Sequence, residues 1–175
     1  MKKNTGSDLG FCLLYILPSF ILLMTFSIIP ILLALVLLDF KSSVAVLLIR
    51  SVLKLALNGH GVETLIGLPI NIVAILVFVL FFALFWEKKR DLMSYLLASF
   101  LGILSLTASM LALNAFYAIP LYARFANFDI GQIIGVSKYL LTMIVPFNLL
   151  EGVIWAVAFW LIYTLLTPVL KRYEK

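Results

Sequence analysis

The chain has 175 residues, of which 65% are hydrophobic and 12% are charged, and its mean hydropathy is +1.19. A soluble domain of this size needs far less apolar surface to fill one core, so the composition excludes a soluble globular protein and predicts an integral membrane protein. The net charge of +5 comes from basic residues in short segments between apolar runs. Anionic lipid at the bilayer surface is their expected partner, and no nucleic acid is required.

Long apolar runs predict an all-α fold in which six helices cross the membrane as a single domain, residues 1–175. The runs are continuous rather than alternating, which favours helices that satisfy their own backbone groups over a strand barrel. Proline, glycine and charged residues mark where the runs end. The predicted helices cover residues 9–26, 29–38, 43–57, 64–86, 92–118 and 137–170.

The distribution of basic residues predicts the orientation, because cytoplasmic loops collect lysine and arginine. With six spans and both termini inside, nine basic residues lie on the inner side and two, Arg124 and Lys138, on the outer side. An odd number of spans would separate the basic C-terminal tail from the basic loop at residues 87–91. We therefore expect both termini to be cytoplasmic and the outer loop, residues 119–136, to serve as a lid.

Polar groups deep in the apolar spans predict a binding site. Amides and carboxylates are costly in lipid, so Asn71, Asn114, Asn148 and Glu151 are expected to face a protein-lined cavity. Asn148 and Glu151 are three residues apart and share a helical face. Pro146 precedes them, removes a backbone donor and is expected to bend the last helix. On the predicted topology these groups lie in the outer half of the bundle and line one pocket that opens outward.

Aromatic residues follow the polar groups closely in sequence. We expect five of them near the pocket: Phe116, Tyr117, Tyr122, Phe147 and Trp155. Aromatic walls with a few amides suit a flat, conjugated small molecule with hydrogen-bonding edges. Lys54, in the third predicted helix, is a further candidate for ligand contact. Trp86 and Trp160, in contrast, are expected to anchor the chain at the membrane interface or to face lipid.

Each candidate also has a structural alternative. Membrane asparagines commonly bond a neighbouring helix, Glu151 can form an ion pair with Arg50 or Lys54, and Lys54 can extend its stem to the outer interface. Neither catalytic residues nor a metal site are predicted, because Cys12 and His60 have no partners at suitable spacing. A membrane enzyme and a structural assembly factor remain the rival classes of function. An assembly factor would need no cavity.

Three sequence elements resemble a known family. They are Pro69-Ile70-Asn71, then Leu113-Asn114-x-Phe116 with Pro120-Leu121-Tyr122, and finally Pro146-Phe147-Asn148-Leu149-Leu150-Glu151-Gly152. In these elements, and over roughly the last 130 residues, the chain resembles the riboflavin-specific substrate-binding subunit of energy-coupling factor transporters. The resemblance supports Asn71 as the third pocket asparagine. Members of that family commonly carry lysine where Glu151 stands, and a carboxylate there should disfavour flavin mononucleotide relative to riboflavin.

The resemblance implies a bacterial plasma-membrane protein that captures riboflavin outside the cell and delivers it inward. Riboflavin would be the transported ligand, and no cofactor is expected. The implied partners are a transmembrane coupling subunit and two ATP-hydrolysing subunits. The chain has no Gly-x-x-x-x-Gly-Lys-Ser/Thr loop, so we expect it not to hydrolyse ATP itself. Another vitamin or precursor bound by the same fold is the alternative cargo.

Overall fold

The computed structural model describes residues 28–59, 61–87 and 89–173. The described residues are helical apart from short connections, and no strand occurs among them, which confirms the all-α fold class. The first predicted helix, residues 9–26, lies outside the described ranges. Three described helical stretches are long and apolar enough to cross a membrane: Val62–Phe85, Leu92–Phe125 and Val136–Pro168.

The helices are named here in chain order. They are α1 (Ile28–Leu37), α2 (Phe40–Asn58), α3 (Val62–Phe85), α4 (Leu92–Leu113), α5 (Ile119–Phe125), α6 (Ile130–Ile133), α7 (Val136–Tyr139) and α8 (Val145–Tyr173). Two π-helical segments join neighbouring helices into longer continuous ones. Asn114–Ala118 joins α4 to α5, and Leu140–Ile144 joins α7 to α8. Helix α3 packs along α2 and α4, and α4 packs along α8.

The π-helical segments explain a difference from the sequence-based boundaries. The helix that was predicted to end at residue 118 continues to Phe125, although Pro120 lies within this continuation. A proline cannot donate to the carbonyl four residues earlier and its ring crowds that carbonyl, and a wider turn relieves both problems. The second π-helical segment precedes Pro146 in the same way. A π-helical segment therefore precedes each of these two prolines, and the bend expected at Pro146 stays a prediction.

Short polar contacts fix the end of the bundle that carries the loop at residues 86–91. Asp39 and Asp91 cap α2 and α4 by accepting hydrogen bonds from the backbone amides of Ser42 and Ser94, at 2.7 and 2.8 Å. Side-chain and backbone hydrogen bonds from these serines lower the pKa of both carboxyl groups. Arg90 donates from Nη2 to the carbonyl of Val36 at 2.9 Å, which ties the loop to the last turn of α1.

An aromatic cluster fills the same end of the bundle. Its fully buried members are Phe78, Phe82, Trp86, Trp155 and Phe159. Ring pairs in the cluster meet mostly edge to face, with the Trp86 and Tyr95 centroids 5.3 Å apart, a geometry that aromatic quadrupoles favour. The expectation that Trp86 is an interface anchor is wrong, because its side chain is 0% exposed. Its partners on α4 and α8, which the sequence alone does not pair with it, enclose the ring.

Close packing joins α4 to α8 next to this cluster. The Tyr95 hydroxyl donates to the carbonyl of Ala156 at 2.6 Å. One turn away along α8, Gly152 faces Ile103, and a Cβ on this glycine would lie 2.8 Å from the Ile103 Cγ1 atom. Such a contact is shorter than packed side chains tolerate, so the absence of a side chain at Gly152 allows the two helices to approach.

This contact gives a stability prediction. The substitution Gly152→Ala should lower the apparent melting temperature in detergent, because overpacking of a well-packed contact costs about 1–3 kcal/mol. Gly67→Ala is the matched control, since the nearest atom to its added Cβ is the Tyr122 hydroxyl at 4.0 Å. Equal melting temperatures for the two variants would show that the α4–α8 contact accommodates a methyl group at position 152 without strain.

Candidate functional site

A cavity of about 470 Å³ lies in the half of the bundle away from the aromatic cluster. Its walls come from α2, α3, α4, α5, α7 and α8 and from both π-helical segments. The polar lining residues are Lys54, Glu63, Thr64, Asn71, Asn114, Tyr122, Tyr139 and Asn148. The other lining residues are Gly67, Leu68, Ile70, Met110, Ala118, Ile144 and Phe147. The volume falls within the range of roughly 300–1,000 Å³ that small-molecule sites occupy.

Asn148 presents a buried hydrogen-bond acceptor to this cavity. Its side chain is 0% exposed, and its Nδ2 atom donates to the carbonyl of Ile144 at 2.7 Å. Its Oδ1 atom has no hydrogen-bond partner within the described ranges. A buried acceptor without a donor costs about 1–3 kcal/mol. A ligand N–H or O–H group at this position would remove that cost.

Asn114 presents a second amide with the same internal anchor. Its Nδ2 atom donates to the carbonyl of Met110 at 2.8 Å, one turn earlier on α4. That bond fixes the side chain and does not use its Oδ1 atom. Asn114 also opens the first π-helical segment, which contacts the second one. Such widened turns are frequent at functional sites, and here both border the cavity.

Asn71 is oriented by a charged residue on another helix. The guanidinium of Arg50 on α2 donates from Nη1 to the Asn71 Oδ1 atom at 3.2 Å. Because the oxygen is engaged, the Nδ2 atom is the part of the Asn71 amide that can serve a ligand. The cavity can therefore offer amide oxygens from Asn114 and Asn148 and an amide nitrogen from Asn71.

Glu151 occupies a different place from the three asparagines. It is half-buried on α8 and is not among the residues that line the cavity. Its carboxylate interacts electrostatically with Arg50 and Lys54 on α2. The ion pair with Arg50 or Lys54 that the sequence offered as the alternative for Glu151 stays a prediction. Through Arg50, however, the carboxylate is linked to Asn71 and thus to the cavity wall.

The remaining predicted residues divide between the cavity and the packing around it. Lys54 and Phe147 line the cavity. Tyr117 does not line it and packs beside the small cluster of Ile66, Ile70 and Ala118. Among the other aromatics, Phe116 is 85% exposed, and Trp155 is 1% exposed in the aromatic cluster.

Several lining residues were not singled out from the sequence. Thr64 is one of them, and it lies seven residues before the predicted Asn71, with Gly67 and Leu68 between them on one face of α3. The face was detectable because a helix repeats its direction after two turns. Glu63 and Tyr139 also line the cavity without having been singled out, whereas Tyr122 was expected near the pocket and does line it. Glu63 and Tyr139 lie near helix ends, where a polar residue is common and does not indicate a site.

The lining of the cavity is suited to binding a small molecule. It combines amides, phenols and apolar walls, with Lys54 and Glu63 as its charged lining residues. Within the described residues, no three histidine, cysteine or acidic side chains lie together in a way that could hold a metal ion.

Comparisons with known proteins agree with one another. The chain is 56% identical over 147 residues to the riboflavin transporter RibU of Streptococcus thermophilus, an alignment that covers 84% of this chain and 70% of the relative. It is 38% identical over 158 residues to RibU of Leuconostoc mesenteroides, covering 85% and 78%. It is 26% identical over 143 residues to the riboflavin transporter FmnP of Bacillus subtilis, covering 82% and 75%.

No solved structure matches the chain significantly. The family model for the ECF transporter, substrate-specific component, matches residues 9–163. These relatives are named as transporters, which places the chain with transport proteins and not with enzymes. The chain is a membrane protein that belongs to the family of substrate-specific components of ECF transporters.

Proposed function

We propose that this chain captures riboflavin from outside a bacterial cell in the cavity and delivers it inward with an ATP-driven energising module. The observation that carries the proposal is the buried, unpaired Oδ1 atom of Asn148 in the cavity wall. Three relatives named as riboflavin transporters support the identity of the cargo. Riboflavin is a transported ligand here, and the proposal requires no cofactor.

The hydrogen-bonding pattern of the cavity complements the polar edge of a flavin ring. That edge carries an imide, in which one N–H donor lies between two carbonyl acceptors. The Oδ1 atoms of Asn148 and Asn114 are suited to accept from the N–H group, and the Asn71 Nδ2 atom is suited to donate to a carbonyl. Apolar and aromatic side chains, among them Leu68 and Phe147, supply walls for the flat ring system.

Arg50 has a positioning role in this proposal. It donates to the Asn71 Oδ1 atom, and Glu151 on α8 attracts its charge electrostatically. A guanidinium inside a membrane bundle is costly unless it is paired. Attraction by Glu151 therefore offsets part of this cost, and the hydrogen bond from Arg50 orients the Asn71 amide. Lys54, at the cavity wall, adds a cation near the same carboxylate.

The proposed orientation in the plasma membrane follows from the charged loops. The chain crosses the membrane several times, with both termini and the basic loop at residues 87–91 in the cytoplasm. The cavity then lies in the outer half, next to the connections at residues 59–61 and 126–135. The aromatic cluster lies in the inner half. Along α8, Asn148 and Phe159 are eleven residues apart, which corresponds to about 16 Å of helix.

This arrangement supports a requirement for partners. The aromatic cluster closes the inner half of the bundle, so bound riboflavin has no open route to the cytoplasm through the described residues. Release inward needs a movement that the chain does not power, because its sequence contains no phosphate-binding loop for ATP. The proposed partners are a transmembrane coupling subunit and two ATP-hydrolysing subunits.

The first test addresses Asn148. The substitution Asn148→Ala should weaken riboflavin binding by about 1–3 kcal/mol, because the buried imide N–H loses its acceptor. Quenching of flavin fluorescence by purified protein measures the affinity. Asn148→Leu, which keeps the branched shape but has no polar atoms, should lose at least a similar amount, whereas Gln132→Ala, which removes an exposed amide outside the cavity, should bind like the unaltered chain. Unchanged affinity in both Asn148 variants would make this amide structural and contradict the proposal.

The second test addresses Arg50 and Asn71 together. Each of Arg50→Met and Asn71→Ala should weaken riboflavin binding, and the double variant should be little weaker than the more impaired single variant. Non-additivity is expected because residues in one hydrogen-bonded unit couple by about 0.5–3 kcal/mol. Isothermal titration of the four proteins in lipid nanodiscs provides the cycle. Additive losses would show that Arg50 does not act through Asn71.

A further inference from the structure

A second cavity of about 420 Å³ lies beside the first one, towards the connection at residues 126–135. Three of its lining residues, Glu63, Tyr122 and Tyr139, also line the first cavity. The two spaces therefore meet at these three side chains. Beyond this junction, the second cavity is lined by the apolar residues Ala126, Phe128 and Ile130.

The junction brings together one carboxylate and two phenols from three parts of the fold. Glu63 is in the first turn of α3, where its Oε2 atom lies 3.0 Å from the position of a Cβ on Gly61. The Tyr122 hydroxyl reaches α3 one turn further on, 4.0 Å from the corresponding position on Gly67. Tyr139, on α7, is the third member, and all three side chains line both cavities.

These groups suit neutral hydroxyls rather than an anion. A carboxylate accepts hydrogen bonds from hydroxyl groups, and a phenol can both donate and accept. The described residues that line the second cavity include Glu63 and no lysine or arginine. A phosphate in the second cavity would meet the negative charge of Glu63 without a compensating cation. Lys54 lines the first cavity but not the second one.

We propose that the junction and the second cavity form the subsite for the polyhydroxylated chain of the ligand, and that Glu63 selects an unphosphorylated chain end. The flavin ring occupies the first cavity against the asparagines, and its side chain passes between Glu63, Tyr122 and Tyr139. This inference rests on the proposed function. It assigns to Glu63 the discrimination against flavin mononucleotide that the sequence assigned to Glu151, which is not among the lining residues of either cavity.

The steric test compares riboflavin with lumiflavin, which keeps the ring and has a methyl group in place of the chain. Ala126→Leu fills the second cavity and should weaken riboflavin about fivefold or more, while lumiflavin affinity stays within about twofold. Ala112→Leu, at an exposed position of α4, makes the same change outside the cavities and should alter neither ligand. Equal effects of Ala126→Leu on the two flavins, or no effect, would overturn the subsite.

The electrostatic test compares riboflavin with flavin mononucleotide. Glu63→Gln should raise the affinity for flavin mononucleotide relative to riboflavin about fivefold at low ionic strength, with a smaller gain at high salt. Asp129→Asn is the control, because it removes the same charge and keeps a residue that can cap α6. Asp129 lines neither cavity, so the ratio of the two flavin affinities should stay that of the unaltered chain. If both variants give the same ratio, Glu63 is not the selecting group.

The outcomes separate this inference from the function on which it rests. If the unaltered chain binds neither riboflavin nor lumiflavin, the proposed function fails and the subsite fails with it. If the unaltered chain binds both flavins, but the Ala126 and Glu63 variants behave like their controls, the function stands and the subsite alone is wrong.

Discussion

The binding site depends on one constraint, which is that the amide oxygen of Asn148 is buried in a membrane protein without a hydrogen-bond donor. The Asn148 Oδ1 atom is buried and has no hydrogen-bond partner within the described residues, lipid tails cannot satisfy it, and the Nδ2 atom of the same side chain already donates to the carbonyl of Ile144. The fold thus carries an unfavourable term that a ligand donor can remove. Asn71 and Asn114 meet it at the same cavity, so the polar groups of separate helices form one recognition surface.

The bundle separates stability from binding along its length. The half around Trp86, Tyr95 and Phe159 is closed by buried rings and by the Tyr95 hydrogen bond to α8. The other half contains both π-helical segments and the cavity. A dense apolar core resists deformation, whereas widened helical turns expose backbone carbonyls to side chains such as Asn148. This division allows one end of a small bundle to adapt to a ligand while the other end stays packed.

Much of the site could be predicted because amides in apolar spans are expensive wherever they occur. That argument identified Asn71, Asn114 and Asn148 without any knowledge of the helix packing. It could not place Tyr117, because this residue lies inside a π-helical segment, where the usual 3.6-residue period does not apply. Trp155 shares a helical face with Asn148 but lies seven residues, or about 10 Å, further along α8. Arg50 and Glu63 required coordinates, since their importance comes from partners on other elements.

The affinity for riboflavin, compared with that for its N3-methyl analogue, tests the central claim most directly. The analogue keeps the ring, the chain and both imide carbonyls. It lacks the imide N–H group, from which the Asn148 Oδ1 atom is proposed to accept a hydrogen bond. The account predicts binding at least about tenfold weaker for the analogue, since a buried acceptor that loses its donor discriminates strongly. Equal affinities for the two flavins in the unaltered chain would contradict it.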